Sequence, residues 1–123
     1  MTYEELDHLR EMSDEDAERA WEMTAAVEQI LEENSFRGMP RSVRTAGLGY
    51  GCMEIFCRDG KYMVVRNNGL GLGMLPPYES AKDCFTSLVS SLFGMRKPED
   101  FAEKQYSRIF EDKQNQTSQS QPN

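Results

Sequence analysis

Cys52-Met53-Glu54-Ile55-Phe56-Cys57-Arg58-Asp59-Gly60-Lys61-Tyr62-Met63-Val64-Val65-Arg66 is the stretch that decides the fold. Two runs rich in β-branched, aromatic and sulfur side chains flank Asp59-Gly60, a pair suited to the two left-handed positions of a type I′ turn. The stretch therefore predicts an antiparallel hairpin. Closing the chain on that turn sets the register. Ile55 falls opposite Val64, Cys57 opposite Tyr62 and Met53 opposite Arg66 on one face, while Phe56 meets Met63 and Glu54 meets Val65 on the other. Both faces are partly apolar, and a lone hairpin does not hold in water. One face is expected to pack on helices and the other on a further element or on a partner.

Downstream of the hairpin, Asn67-Asn68-Gly69 reads as a second turn, and Leu70, Leu72 and Met74 as a third, edge strand that Pro76-Pro77 brings to a stop. Ser80-Ala81-Lys82-Asp83 opens a capped helix whose stripe of Ala81, Cys84, Phe85, Leu88, Val89, Leu92 and Phe93 ends at Gly94. Pro98 suits the first turn of a last helix, with Phe101, Ala102, Gln105, Tyr106, Ile109 and Phe110 as a looser stripe. Upstream, Ser13-Asp14-Glu15-Asp16 has the side-chain oxygens and early acids of a helix start. Ala17, Ala20, Trp21, Thr24, Val27, Ile30 and Leu31 then recur at three- and four-residue spacing as its core face. Tyr3 to Met12, with Leu6 and Leu9, forms either a short separate helix or an extension of this one, and Gly38 and Pro40 close the region. A weaker strand is expected within residues 41–46. The fold class is α+β: an N-terminal helix, a small antiparallel sheet of three to four strands and two C-terminal helices. Residues 1–113 are expected to form one domain, and the polar, low-complexity residues 114–123 a disordered tail.

The chain has 123 residues and a formal net charge of -7, which fits one domain able to bury a modest core. The charge is uneven. Residues 1–33 carry twelve acidic and two basic side chains, residues 34–98 four and nine, and residues 99–123 five and three. An acidic N-terminal element thus adjoins a mildly basic middle, which can be satisfied within the molecule or by a basic partner. Nucleic acid is excluded as an expected partner, because phosphate binding needs clustered cations. No apolar run approaches the roughly 20 residues that span a bilayer, and Met1-Thr2-Tyr3-Glu4-Glu5 is acidic where a signal peptide is basic, so the chain is expected to be cytoplasmic and to contact no membrane.

Candidate chemistry is sparse. His8, the one histidine, shares a helix face with Glu4, but a metal site needs three or four convergent ligands, and a solvated histidine is the simpler reading. No metal and no cofactor is expected. Cys52, Cys57 and Cys84 form an odd set of reduced thiols. Cys52 and Cys57 point to opposite faces of a strand, and Cys84 belongs to an apolar helix stripe. A nucleophilic cysteine lacks a neighbouring base, so no enzyme is expected. Gly47-Leu48-Gly49-Tyr50-Gly51 and Gly69-Leu70-Gly71-Leu72-Gly73 lack the spacing of phosphate loops and read as bends or close backbone approaches, with partner contact as the alternative. The acidic helix face, Asp14, Glu15, Glu18 and Glu22, is either solvated or an electrostatic surface that captures a basic protein. The other candidate contact is the glycine-rich edge around Tyr50, Asn67 and Leu72.

From Cys52 onward the order of features resembles small bacterial immunity proteins of polymorphic-toxin systems. The resemblance runs through Met53-Glu54-Ile55-Phe56, Gly60-Lys61-Tyr62-Met63-Val64-Val65 and the polar turn Arg66-Asn67-Asn68-Gly69. It continues in the Ser80-led helix with Leu88 and Phe93, and in Phe101-Ala102-Glu103 and Arg108-Ile109-Phe110 of the last helix. It covers about half of the chain and leaves out the acidic N-terminal helix. It implies a non-catalytic protein that binds a cognate toxin domain and blocks its active site, and the acidic helix face suits a basic one. The rival is another binding class: small acidic secretion chaperones share an N-terminal helix, a short antiparallel sheet and further helices, and hold an unfolded effector segment as homodimers. A monomer or a homodimer is expected accordingly.

Overall fold

The computed structural model describes residues 1–34 and 52–112. The expected strand within residues 41–46, the first glycine-rich stretch with Tyr50, and residues 114–123 lie outside the described residues. Within them the order is α1 (Tyr3–Leu9), α2 (Asp14–Glu33), β1 (Met53–Arg58), β2 (Lys61–Asn67), β3 (Leu72–Met74), α3 (Ala81–Phe93) and α4 (Phe101–Tyr106), with a π-helical turn over Ser107–Glu111 continuing α4. The protein is α+β, with an antiparallel sheet ordered β1-β2-β3.

The hairpin has the register its turn dictates, Ile55 with Val64, Cys57 with Tyr62, and Phe56 with Met63. Asp59 (φ 54°) and Gly60 (φ 83°) both occupy left-handed backbone, as a type I′ turn requires. β3 pairs Met74 with Val65 and Leu72 with Asn67. The two prolines interrupt the pairing without ending it. Leu75 N–H donates to Val64 at 2.9 Å, and Tyr62 and Tyr78 exchange backbone bonds at 2.8 and 2.9 Å. Pro76 and Pro77 lack amide donors, so the chain detours past them and rejoins the strand at the next residue that has one.

Helix starts follow the capping oxygens. Ser13 and Ser80 accept from the amides of Asp16 and Asp83, each at 3.1 Å. α1 is a separate helix with a reciprocal box in which Thr2 Oγ1 accepts from Glu5 N–H and Glu5 accepts from Thr2 N–H. Trp21 is not part of the core face: it is 57% exposed, while Met23 and Ala26 are buried in its stead. The buried side of α2 is centred on Met23, Val27 and Ile30, which carries it past the reach of a side chain at Trp21.

The sheet is covered on both sides. Ile55, Cys57, Tyr62 and Val64 pack with Met23, Val27 and Ile30 of α2 and Phe85, Leu88 and Val89 of α3 in the main core. The opposite face forms a second cluster in which Phe56, Val65 and Leu72 meet Leu6, with Leu9, Met12 and Met63 around it. The further element expected over that face is α1. α4 closes the far side of α3 through aromatic contacts, Phe85 with Tyr106 and Phe110, and Phe93 with Phe101.

Candidate protein-binding surfaces

α2 presents the acids singled out by the sequence. Asp14, Glu15, Glu18 and Glu22 are all exposed, and their spacing sets them along one side of the helix. Asp14, Glu18 and Glu22 have no ion-pair partner among the described residues, whereas Glu15 pairs with Arg19. Trp21 stands between Glu18 and Glu22 in the chain, so the strip combines carboxylates with a large exposed indole. That residue was assigned to the core from its spacing, and no signal short of the packed helix distinguishes it from Ala20.

Asp16, three residues from Ser13, has another task. Its side chain ties the helix start to the hairpin tip: Asp59 N–H donates to Oδ2 at 3.1 Å, the Cys57 thiol donates to Oδ1 at 3.5 Å, and Arg19 of the same helix donates to Oδ1 at 3.2 Å. The Asp59 amide is the first cause that draws the Asp16 carboxyl below its ordinary range, with the Cys57 thiol adding to it against the opposing effect of burial. The same contact, after burial itself, pushes the Cys57 thiol up. Burial also pushes Tyr62 and Cys84 up to about 12. All three described cysteines are free, and these shifts leave Cys57 and Cys84 as neutral thiols of the core. His8 is exposed and lies 3.7 Å from Glu11. Among the described residues no group of histidines, cysteines and acids is placed to hold a metal.

The candidate edge around Asn67 and Leu72 is arranged otherwise than expected. Leu72 is buried in the cluster under α1, so its side chain cannot meet a partner while α1 is in place. The cause is alternation, which puts Leu72 on the α1 side together with Val65. Asn67 is half-buried, and its Oδ1 accepts from Gly69 N–H at 3.0 Å, while Asn68 Oδ1 accepts from Leu70 N–H at 2.9 Å. These two asparagines shape the loop. The exposed apolar groups of this edge are Leu70 in the loop, 96% exposed, and Met74 in β3, 48% exposed. Tyr50 lies outside the described residues.

Sequence reasoning also missed an ion pair beneath α1. Arg10 donates to both carboxylate oxygens of Glu54, Nε at 2.9 Å and a terminal nitrogen at 2.7 Å. Glu54 is 3% exposed, and it is the one charged residue in the buried run Met53–Cys57 of β1. No local pattern announces a partner 44 residues away; a charged residue pointing into an apolar face is the signal that one must exist.

No family model, curated protein or solved structure matches this chain. No described helix is long and apolar enough to cross a membrane.

Proposed function

We propose that this chain is a non-catalytic protein-binding inhibitor, an immunity protein that neutralises a cognate bacterial toxin domain in the cytoplasm. The observation that carries the reading is the outer side of α2, where Asp14, Glu18 and Glu22 stand exposed, with no ionic partner among the described residues, beside an exposed Trp21. Carboxylates of one sign steer a basic partner into encounter, and tryptophan is the side chain most often found at the energetic centre of an interface. The resemblance of the hairpin and the C-terminal helices to polymorphic-toxin immunity proteins supplies the identity of the partner class.

The secretion-chaperone reading draws on a different observation, the exposure of Leu70 next to the edge strand β3 and of Met74 within it, where an extended segment could add as a further strand. Capture from the source cell by the full chain, with the mass of the complex in solution, separates the two. A folded basic protein bound one-to-one by a monomer, and bound more slowly by a Glu15→Lys/Glu18→Lys/Glu22→Lys variant, is the expected result. A homodimer holding an extended segment overturns it in favour of the chaperone.

A further inference from the structure

α1 carries its own internal bonds. The Thr2–Glu5 capping box closes its first turn, and Asp7 accepts from Arg10 at 3.2 Å at its end. A helix of seven residues does not hold in isolation, so α1 persists through what it touches. Leu6 is its buried side chain, set among Phe56, Val65 and Leu72 with Leu9 half-buried beside it. Arg10 at the C-cap then grips both oxygens of Glu54. Further links lie at the two ends: the Met1 amine donates to the Leu72 carbonyl at 3.4 Å, Arg58 to the Glu11 carbonyl at 3.3 Å and Cys57 N–H to Met12 Sδ at 3.4 Å.

The sheet face beneath selects what covers it. Alternation puts Glu54 on the same side as Phe56, so any element closing this face also buries a carboxylate, which is costly without a cation. A guanidinium answers both oxygens in one plane, and an ammonium does not. Leu6 and Arg10 are four residues apart, so one helical stripe delivers the apolar plug and the cation together. The face is complementary to a helix with a leucine followed four residues later by an arginine, and α1 is the occupant supplied by the chain itself.

We propose that α1 is a displaceable strap that lifts while the core of α2, sheet and α3 stays folded, and that the uncovered face of Glu54, Phe56, Val65 and Leu72 receives a partner's helix bearing such a leucine–arginine pair. The proposal rests on the protein-binding reading above for the existence of a partner, and adds to the acidic side of α2 a second surface, closed until α1 leaves.

The native cysteines test it in the full chain. Cys52 packs against the cluster under α1, whereas Cys57 and Cys84 are buried in the main core, so alkylation by iodoacetamide separates lifting of α1 from global unfolding. In Arg10→Ala, Cys52 should react about tenfold faster than in the native chain, with Cys57 and Cys84 still slower by about a hundredfold or more. A peptide of residues 2–12, added to that variant, should restore the protection of Cys52 saturably. Its affinity should fall about fivefold or more when the peptide carries Arg10→Lys, and further with Arg10→Ala. Reaction of all three cysteines together overturns the strap. Should Arg10→Ala fail to fold, amide exchange of the native chain decides, and α1 amides that exchange only with global unfolding overturn it too. Absence of saturable protection, or equal protection by the three peptides, overturns the docking face. A concentration-dependent dimer with Cys52 protected before any peptide is added makes a second copy's α1 the occupant and overturns the partner helix. Peptide binding together with failure to capture any folded partner overturns the proposed function and leaves the strap standing.

Discussion

On one face of the sheet, Ile55, Cys57 and Val64 meet two long helices; on the other, Phe56, Val65 and Leu72 meet the seven-residue α1. Apart from Leu72 of β3, the residues come from the same two strands and differ only in parity. The first face is closed by apolar stripes from α2 and α3, each capped by its own serine. The second is closed by a helix too short to be stable in isolation, held by Leu6 and by the Arg10–Glu54 ion pair. A large apolar face can be covered by hydrophobic burial alone. A small one that also contains a carboxylate needs a covering element that brings its own cation.

The sharpest way to break this comparison is to cut into each side in turn. Phe85→Ala removes a fully buried ring from the main core and its contacts with Tyr106 and Phe110. It should cost about 4 kcal/mol in denaturant unfolding, and all elements should be lost together. Next in size, Arg10→Ala leaves Glu54 buried and uncompensated, at a cost of about 2 kcal/mol, since Arg10 is itself partly exposed. Here the α1 amides should exchange hydrogen faster than those of β1 and β2. Replacing the pair together, as Arg10→Met/Glu54→Leu, should recover most of the loss. A double variant as unstable as Arg10→Ala would mean that the pair, rather than the burial around it, holds α1.

Gly60→Ala comes next. A methyl group there meets no atom, but its φ of 83° is unfavourable for an L side chain, so the loss should be about 1 kcal/mol and due to the backbone alone. The hairpin tip also carries the pH dependence. Asp16 has a folded-state pKa below its unfolded value, so the folded state binds fewer protons at low pH, and the stabilisation it adds is present above the ordinary carboxylate range. It should disappear as pH falls below about 4 through the depressed value. The stability difference between the native chain and Asp16→Asn should accordingly narrow in acid. A difference independent of pH would remove the charged clamp between α2 and the turn. Smallest is the effect of Glu15→Lys/Glu18→Lys/Glu22→Lys on stability, within about 0.5 kcal/mol, because these side chains face solvent. The same variant should slow association with a basic partner by about tenfold at low salt.

Some of this was legible from local rules. Asp59-Gly60 specifies two left-handed positions, and a two-residue turn leaves one register, so every cross-strand pair of the hairpin followed. The serine-led helices and the stripe from Cys84 to Phe93 followed from capping and spacing. Thr2-Tyr3-Glu4-Glu5 has the pattern of a capping box and marks α1 just as plainly. Trp21 was misplaced because helical spacing gives a face only to within about one residue's rotation, and the true face turned toward Met23. Leu72 was rightly placed near the β3 edge, but its side chain points under α1, and which side of an edge strand is covered depends on an element some seventy residues earlier.

The sequence by itself determined α2 and α3 with their serine caps, the hairpin and its register, and the strip of acids on α2, because each depends on residues within a turn or two of one another; the last helix begins at Phe101, after the turn that Pro98 opens. The tertiary structure alone decided that α1 lies over the second sheet face, that Arg10 answers Glu54, and that Asp16, besides pairing with Arg19 of its own helix, holds the hairpin tip. Those features arise from contacts between distant segments, where burial and charge are satisfied only after the chain has closed on itself and no local pattern records which group will supply the partner.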